Sequence, residues 1–227
     1  MLRACGHGLV SVLVVLAASL AGCSPTDTSP SGSSVETASA SPHPVDLARL
    51  ADLKDDFPPG LTPKMSEQSK VDAKWAHLVG DTVSFGEPFT VDPPGCRALL
   101  KPVEAGADAD KAGIGAGGPQ PPLLGVGVTT PVSVPAPIPS TDCDRMTFEV
   151  EGAIPDGTVE RLPAPTIDRA TTYGLKVTYD DVAFEYFYIA ILDDRTYVVV
   201  RARMAPDFQP EPLLPDLLTK AVTAIRG

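Results

Sequence analysis

A Ser-His-Asp or Cys-His relay in this 227-residue chain would have to run through His77, because the other two histidines, His7 and His43, fall in segments that read as leader and tether. No Gly-x-Ser-x-Gly elbow supplies a nucleophile for it. The doublets Asp55-Asp56, Asp180-Asp181 and Asp193-Asp194 are of the residue type that glycoside hydrolysis uses. Each lies at a break between elements, where aspartate bonds its own backbone, and turn chemistry is the better reading. Gly113 to Gly118 matches G-x-G-x-x-G in form, but a dinucleotide site needs a helix directly afterwards, and Pro119-Gln120-Pro121-Pro122 follows; the segment reads as a flexible loop. There is no His-Glu-x-x-His, no cysteine pair at zinc spacing and no Asp-x-Asp-x-Asp-Gly calcium loop. The chain therefore reads as a non-enzyme without cofactor or metal.

The cysteines carry the clearest chemistry. Cys23 closes Leu20-Ala21-Gly22-Cys23, behind a basic start at Arg3 and an apolar run from Gly8 to Leu20 that is short for a membrane span. Small residues before such a cysteine resemble the lipobox of bacterial lipoproteins. That resemblance implies a signal peptide over residues 1–22, acyl chains (diacylglycerol and a fatty acid such as palmitate) on Cys23, and a lipid-anchored place on the extracytoplasmic face of the cell membrane. Several acyl chains, at about 0.8 kcal/mol per buried methylene, anchor where one would not. Cys5 leaves with the leader, so Cys96 and Cys143 have one intramolecular pairing, in a compartment where disulfides persist.

Charge sets the partners. With 18 basic against 29 acidic residues and no basic cluster, the chain is not built for nucleic acid or for anionic lipid headgroups. The expected contacts are the membrane, through the acyl chains, and an envelope ligand or protein. Abundant alanine and proline without a single asparagine is the usage of a high-GC actinobacterial genome.

The elements that must position any site follow from periodicity. Residues 23–44 are Ser, Thr, Pro, Ala and Gly and read as a disordered tether; residues 45–227 form one domain. Leu47, Leu50 and Leu53 predict a short helix over about Val45 to Lys54, ended by Phe57-Pro58-Pro59-Gly60. The stretch Glu67 to Leu78, with the lone Trp75, is ambiguous. Thr82 to Phe85 and Phe89 to Val91 read as strands, and Pro93 to Leu100 as a helical turn. An insert at about 104–140 is Gly/Pro-rich and poorly patterned, with Leu123 to Val134 a possible edge strand. Met146–Glu151, Thr158–Leu162, Thr171–Tyr179, Val182–Leu192 and Thr196–Met204 then read as an antiparallel meander. A helix from about Pro215 to Arg226 gathers Leu214, Leu217, Leu218, Ala221, Val222 and Ile225 on one stripe. The expected fold is α+β: a meander sheet with the C-terminal amphipathic helix packed on one face and short N-terminal helices.

All five tyrosines lie between Tyr173 and Tyr197. Along Val182–Leu192 one face carries Phe184, Tyr186, Tyr188, Ala190 and Leu192, the other Glu185, Phe187, Ile189 and Ile191. A strand apolar on both faces is covered on both or lines a cavity. Tyr173, Glu185, Phe187, Ile189 and Ile191 are accordingly the candidate ligand wall.

The lipobox, the Pro-Pro-x-Cys turn at Pro93 to Cys96, the second cysteine after a variable insert, and the strand-rich half closing in Leu217 to Ile225 together resemble small mycobacterial cell-envelope lipoproteins of a domain-of-unknown-function family. More distantly they are similar to the extracellular sensor domains of mycobacterial Ser/Thr kinases. The resemblance implies an α+β domain with a central antiparallel sheet and a cleft, and no catalytic residues; the sensor domains usually hold two disulfides, and this chain has cysteines for one. The function expected is non-enzymatic binding of a ligand or partner at the envelope. A lipid or glycolipid carrier is the alternative, and a hydrolase with an unrecognised site the second.

Overall fold

The computed structural model describes residues 44–117, 121–152, 154–179, 183–205 and 207–227. Cys23, the leader, most of the tether, and Asp180-Asp181 lie outside them. Among the described residues, nine strands form one antiparallel sheet: β1 (Lys64–Lys70), β2 (Phe89–Asp92), β3 (Glu104–Gly117), β4 (Leu123–Ser133), β5 (Arg145–Val150), β6 (Gly157–Leu162), β7 (Ala170–Tyr179), β8 (Ala183–Leu192) and β9 (Thr196–Arg203). Their spatial order is β1-β3-β4-β9-β8-β7-β6-β5-β2. The run β5 to β9 is the expected meander. The β8–β9 turn is closed by Asp193 and Asp194, both left-handed (φ 49° and 52°), with Arg195 N–H donating to the Leu192 carbonyl at 2.9 Å.

Two apolar layers cover the sheet. On one face lies α2 (Leu213–Arg226; a single short turn, Arg97–Leu100, is α1). Its buried residues are Leu214, Leu217, Leu218, Ala221, Val222 and Ile225, the stripe the spacing predicts. Beside it runs the first helical segment, Leu47–Asp56, which is a 3-10 helix. Three residues per turn bring Leu47, Leu50 and Leu53 onto one line, and all three are buried with α2 against Val126, Tyr188 and Val200. The other face is covered by Leu99, Leu100 and Val103 over Phe148, Leu175 and Ile189. Cys96 and Cys143, bonded at 2.05 Å with Cα atoms 5.7 Å apart, clip this layer.

The structure corrects the reading of the first half in three places. The insert is no loop: β3 and β4 pair over most of their length, and β4 lies inside the sheet, between β3 and β9, not at an edge. Alternation exists there, with Ala112, Ile114 and Ala116 buried opposite Leu124, Val126 and Val128. The residues between them include glycine, which gives hydropathy no polar half to contrast. Gly113 to Gly117 of the G-x-G-x-x-G segment are accordingly the end of a strand, and Gly118 lies outside the described residues. Second, Thr82 to Phe85 is not a strand. The Asp81 carboxylate accepts from the N–H groups of Val83, Ser84 and Gly86 and from the Ser84 hydroxyl, at 2.6 to 3.0 Å, and folds the segment around itself. Third, the ambiguous stretch resolves into the exposed edge strand β1 and a short 3-10 turn, Ala76–Leu78.

Candidate functional site

The candidate wall divides. Tyr173, Ile189 and Ile191 are 1%, 0% and 1% exposed and belong to the packed core, not to a cavity wall. The Tyr173 hydroxyl donates to the Leu99 carbonyl at 3.1 Å. Glu185 is also buried, and its carboxylate accepts from Nε of Arg201 at 2.6 Å and Nε of Arg203 at 2.7 Å. Burial alone would raise its pKa, but the hydrogen bonds and charges of both arginines outweigh that and hold it below the ordinary carboxylate value. Phe187 alone of the five borders open space.

That space is a cleft of about 530 Å³ on the face opposite α2, within the size range of small-molecule sites. Strand register builds its floor in three rows. Ser69, Lys111, Thr129 and Tyr197 lie side by side across β1, β3, β4 and β9. In the next row Ser66 is followed by Gly113, Gly127 and Val199. In the third, Arg201 and Phe187 line the cleft, while Gly115 and Gly125, in register with them, lie outside its lining. Rows are separated by two residues, about 7 Å, and strands by about 4.8 Å. The middle of the floor is thus bare backbone, with side chains at either end. Leu78, Val79, Gly80 and Asp81 form the rim above it.

The polar groups of the first row are unspent. Tyr197 is 5% and Thr129 9% exposed, both line the cleft, and neither hydroxyl has a hydrogen-bond partner among the described residues. Lys111 is exposed there without an ion-pair partner among them. Burial raises the Tyr197 phenol well above its usual pKa; the Asp81 charge adds to this and Arg201 opposes it, so the hydroxyl stays protonated. At the far end the Arg201 guanidinium lies 5.7 Å from the Phe187 ring and 5.8 Å from that of Phe85. Phe85 is 54% exposed and left-handed (φ 52°), a strained backbone for a bulky residue, held by the Asp81 turn.

The glycines of the floor are not all forced by packing. A Cβ on Gly127 would meet Val199 Cγ1 at 3.5 Å, and one on Gly125 the Ile114 carbonyl at 3.6 Å, both ordinary contacts. Packing does hold two of them to glycine, since a Cβ on Gly113 would meet the Val126 carbonyl at 3.0 Å and one on Gly115 the Leu124 carbonyl at 3.1 Å. Glycine inside a strand costs about 0.5–1 kcal/mol relative to alanine, so Gly127, which lines the cleft with room for a Cβ, is the position whose bareness suits close approach by something else.

The other sequence candidates do not assemble into a site. His77 is exposed, its ring packed against Gly86, and among the described residues no carboxylate bonds it. Asp55 and Asp56 end the first 3-10 helix, and Asp193 holds Arg169 Nε at 2.8 Å. Among the described residues no group of three His, Cys, Asp or Glu side chains could hold a metal ion. A second hollow, about 590 Å³, is an open shelf on β5 to β7 lined by exposed Arg145, Thr147, Thr158 and Glu160.

The chain matches the family described as Domain of unknown function (DUF5642) over residues 46–226, and it belongs to that family. An uncharacterised protein from Mycobacterium smegmatis, an Rv0999 ortholog solved by X-ray crystallography, shares the fold. The TM-score is 0.62 at 24% identity, over 81% of this chain and 98% of that one. No curated protein matches the chain.

Proposed function

We propose that this DUF5642 chain is a non-enzymatic ligand-binding domain, held by lipid on the extracytoplasmic face of the cell membrane, with the glycine-floored cleft as its binding site. The observation that carries the reading is the bare floor at Gly113 and Gly127 beside the Tyr197 hydroxyl, which has no hydrogen-bond partner among the described residues. Glycine at position 127 costs strand stability that packing there does not require, and a ligand over the floor would offset it while giving the Tyr197 hydroxyl a partner. The anchor rests on the Leu20-Ala21-Gly22-Cys23 sequence, and the Cys96–Cys143 bond suits an exported chain.

A lipid or glycolipid carrier would require a shielded cavity, and Ile189 and Ile191, which would have to line it, are packed in the core. The open cleft favours a binding module. A hydrolase would need a base beside a nucleophile, and exposed His77 has neither among its described contacts.

The test is native mass spectrometry of protein taken from its own envelope. The wild type is expected to carry a small-molecule mass that Gly127→Leu loses at unchanged melting temperature. Wild-type protein without any bound mass overturns the binding reading. Separately, a clickable fatty acid should label the wild type and not Cys23→Ala; equal labelling of both would end the anchor.

A further inference from the structure

We infer that the row Lys111, Thr129 and Tyr197 holds the carboxylate of a slender amphiphilic ligand, whose apolar body lies along the bare floor toward Arg201. The inference rests on the binding reading above and names the ligand class of that same cleft.

The head group follows from the donors. Lys111 offers an ammonium that can only donate, and Thr129 and Tyr197 offer hydroxyls free to turn their protons toward an acceptor. Register places the three on adjacent strands in a single row at one end of the cleft, which all three line. Two carboxylates line the cleft: Asp81 is taken by four donors of its own turn, and Glu67 stands exposed on the edge strand β1. One ammonium and two hydroxyls match the two oxygens of a carboxylate. The row has neither the guanidinium fork nor the helix N-terminus typical of phosphate sites.

The body follows from the next row. Gly113, Gly127 and Val199 present no polar side chain, Ser66 at the β1 end of the row spends its hydroxyl on the Gly113 carbonyl at 3.1 Å, and Leu78 and Val79 line the same cleft. A polar body such as a sugar would leave its hydroxyls unpaired there. The slot runs along the strands for two row spacings, about 14 Å, before Arg201 and Phe187 close it, which suits an unbranched chain.

The test is calorimetric titration of the full-length protein in neutral-lipid nanodiscs, with empty discs subtracted, using octanoate, octanol and glucuronate. Octanoate should bind, and octanol and glucuronate each at least about tenfold more weakly. Lys111→Gln and Tyr197→Phe should each weaken octanoate by about tenfold at unchanged melting temperature, since neither side chain has a partner to lose. Gly127→Leu should abolish binding. Octanol as tight as octanoate would overturn the donor row, and glucuronate as tight as octanoate the apolar body. Octanoate binding that ignores Lys111→Gln and Tyr197→Phe would put the site elsewhere. If octanoate fails while Gly127→Leu still releases the co-purified mass, the ligand class falls and the cleft reading stands. If both fail, both fall.

Discussion

The Glu185 carboxylate, buried in the middle of the sheet, accepts a hydrogen bond from Arg201 Nε at 2.6 Å and so ties the core of β8 to the wall of the cleft. Arg203 shares the same carboxylate. Because Glu185 titrates below its unfolded value, its contribution to stability is present above about pH 4.3 and is lost as pH falls through the lower folded value. Glu185→Gln leaves two arginines facing a neutral amide. Removing one member of a buried pair costs about 3–5 kcal/mol; with both arginines a third exposed, about 2 kcal/mol at pH 7 is the discounted expectation. Urea melts from pH 7 to pH 3 should show the gap between wild type and variant closing below pH 4. A constant gap would mean that the carboxylate charge is not what stabilises.

The Cys96–Cys143 bond spans a sequence separation of 47 residues that contains both β3 and β4 in full. In the chain-entropy model a loop of that length stabilises by about 4 kcal/mol. The double variant Cys96→Ala, Cys143→Ala should therefore unfold at markedly lower urea, with the loss seen equally by near-UV and far-UV signals. Non-reducing peptide mapping should recover the linked pair from the wild type. A double variant as stable as the wild type would show that the hairpin's own pairing with β9 already restrains it.

How far the sequence reveals this architecture depends on what fills the alternate positions. In β5 to β9, β-branched and aromatic residues alternate or run continuously, and turns at Asp193-Asp194 and Asp156-Gly157 punctuate them, so the meander was legible. The α2 stripe was legible for the same reason at a different period. The β3–β4 hairpin was not, because Gly113, Gly115, Gly125 and Gly127 put no side chain on one face, and a pattern needs two kinds of residue. Thr82 to Phe85 has the composition of a strand, yet one carboxylate four atoms long diverts its amides. The site divides similarly. Phe187 could be reached from the aromatic cluster, whereas Lys111, Thr129 and Tyr197 meet only through strand register across three separate segments. No local spacing encodes that meeting; the one signal was glycine at alternate positions inside an apolar run.

Two buried tyrosines offer a direct comparison. The Tyr188 hydroxyl is buried without a hydrogen-bond partner, and burial pushes its phenol up to about 12. Tyr173 is equally buried but bonds the Leu99 carbonyl. Tyr188→Phe should therefore be neutral or stabilising by up to about 1 kcal/mol, and Tyr173→Phe destabilising by about 1 kcal/mol or slightly more. Urea midpoints at unchanged m-values measure both. Equal losses in the two variants would show that Tyr188 has a water or ligand partner in solution.

The packing of α2 on the sheet can be decided by two neighbouring positions. Leu218 is fully buried in the layer that includes Val198, Val200 and Tyr188, and Thr219 is exposed, its hydroxyl donating back to the Pro215 carbonyl at 3.1 Å. Leu218→Ala removes apolar contacts and leaves a cavity between helix and strands, at a cost of about 2–5 kcal/mol. Thr219→Ala removes one solvent-exposed hydroxyl from a position where alanine is the better helix former, and stability should move by less than about 0.5 kcal/mol. Both are read from urea melts of the full-length protein against wild type. A Thr219 variant as damaged as the Leu218 variant would mean that α2 presents a different face to β8 and β9, and the layer that holds the Leu47–Asp56 segment beside it would have to be redrawn.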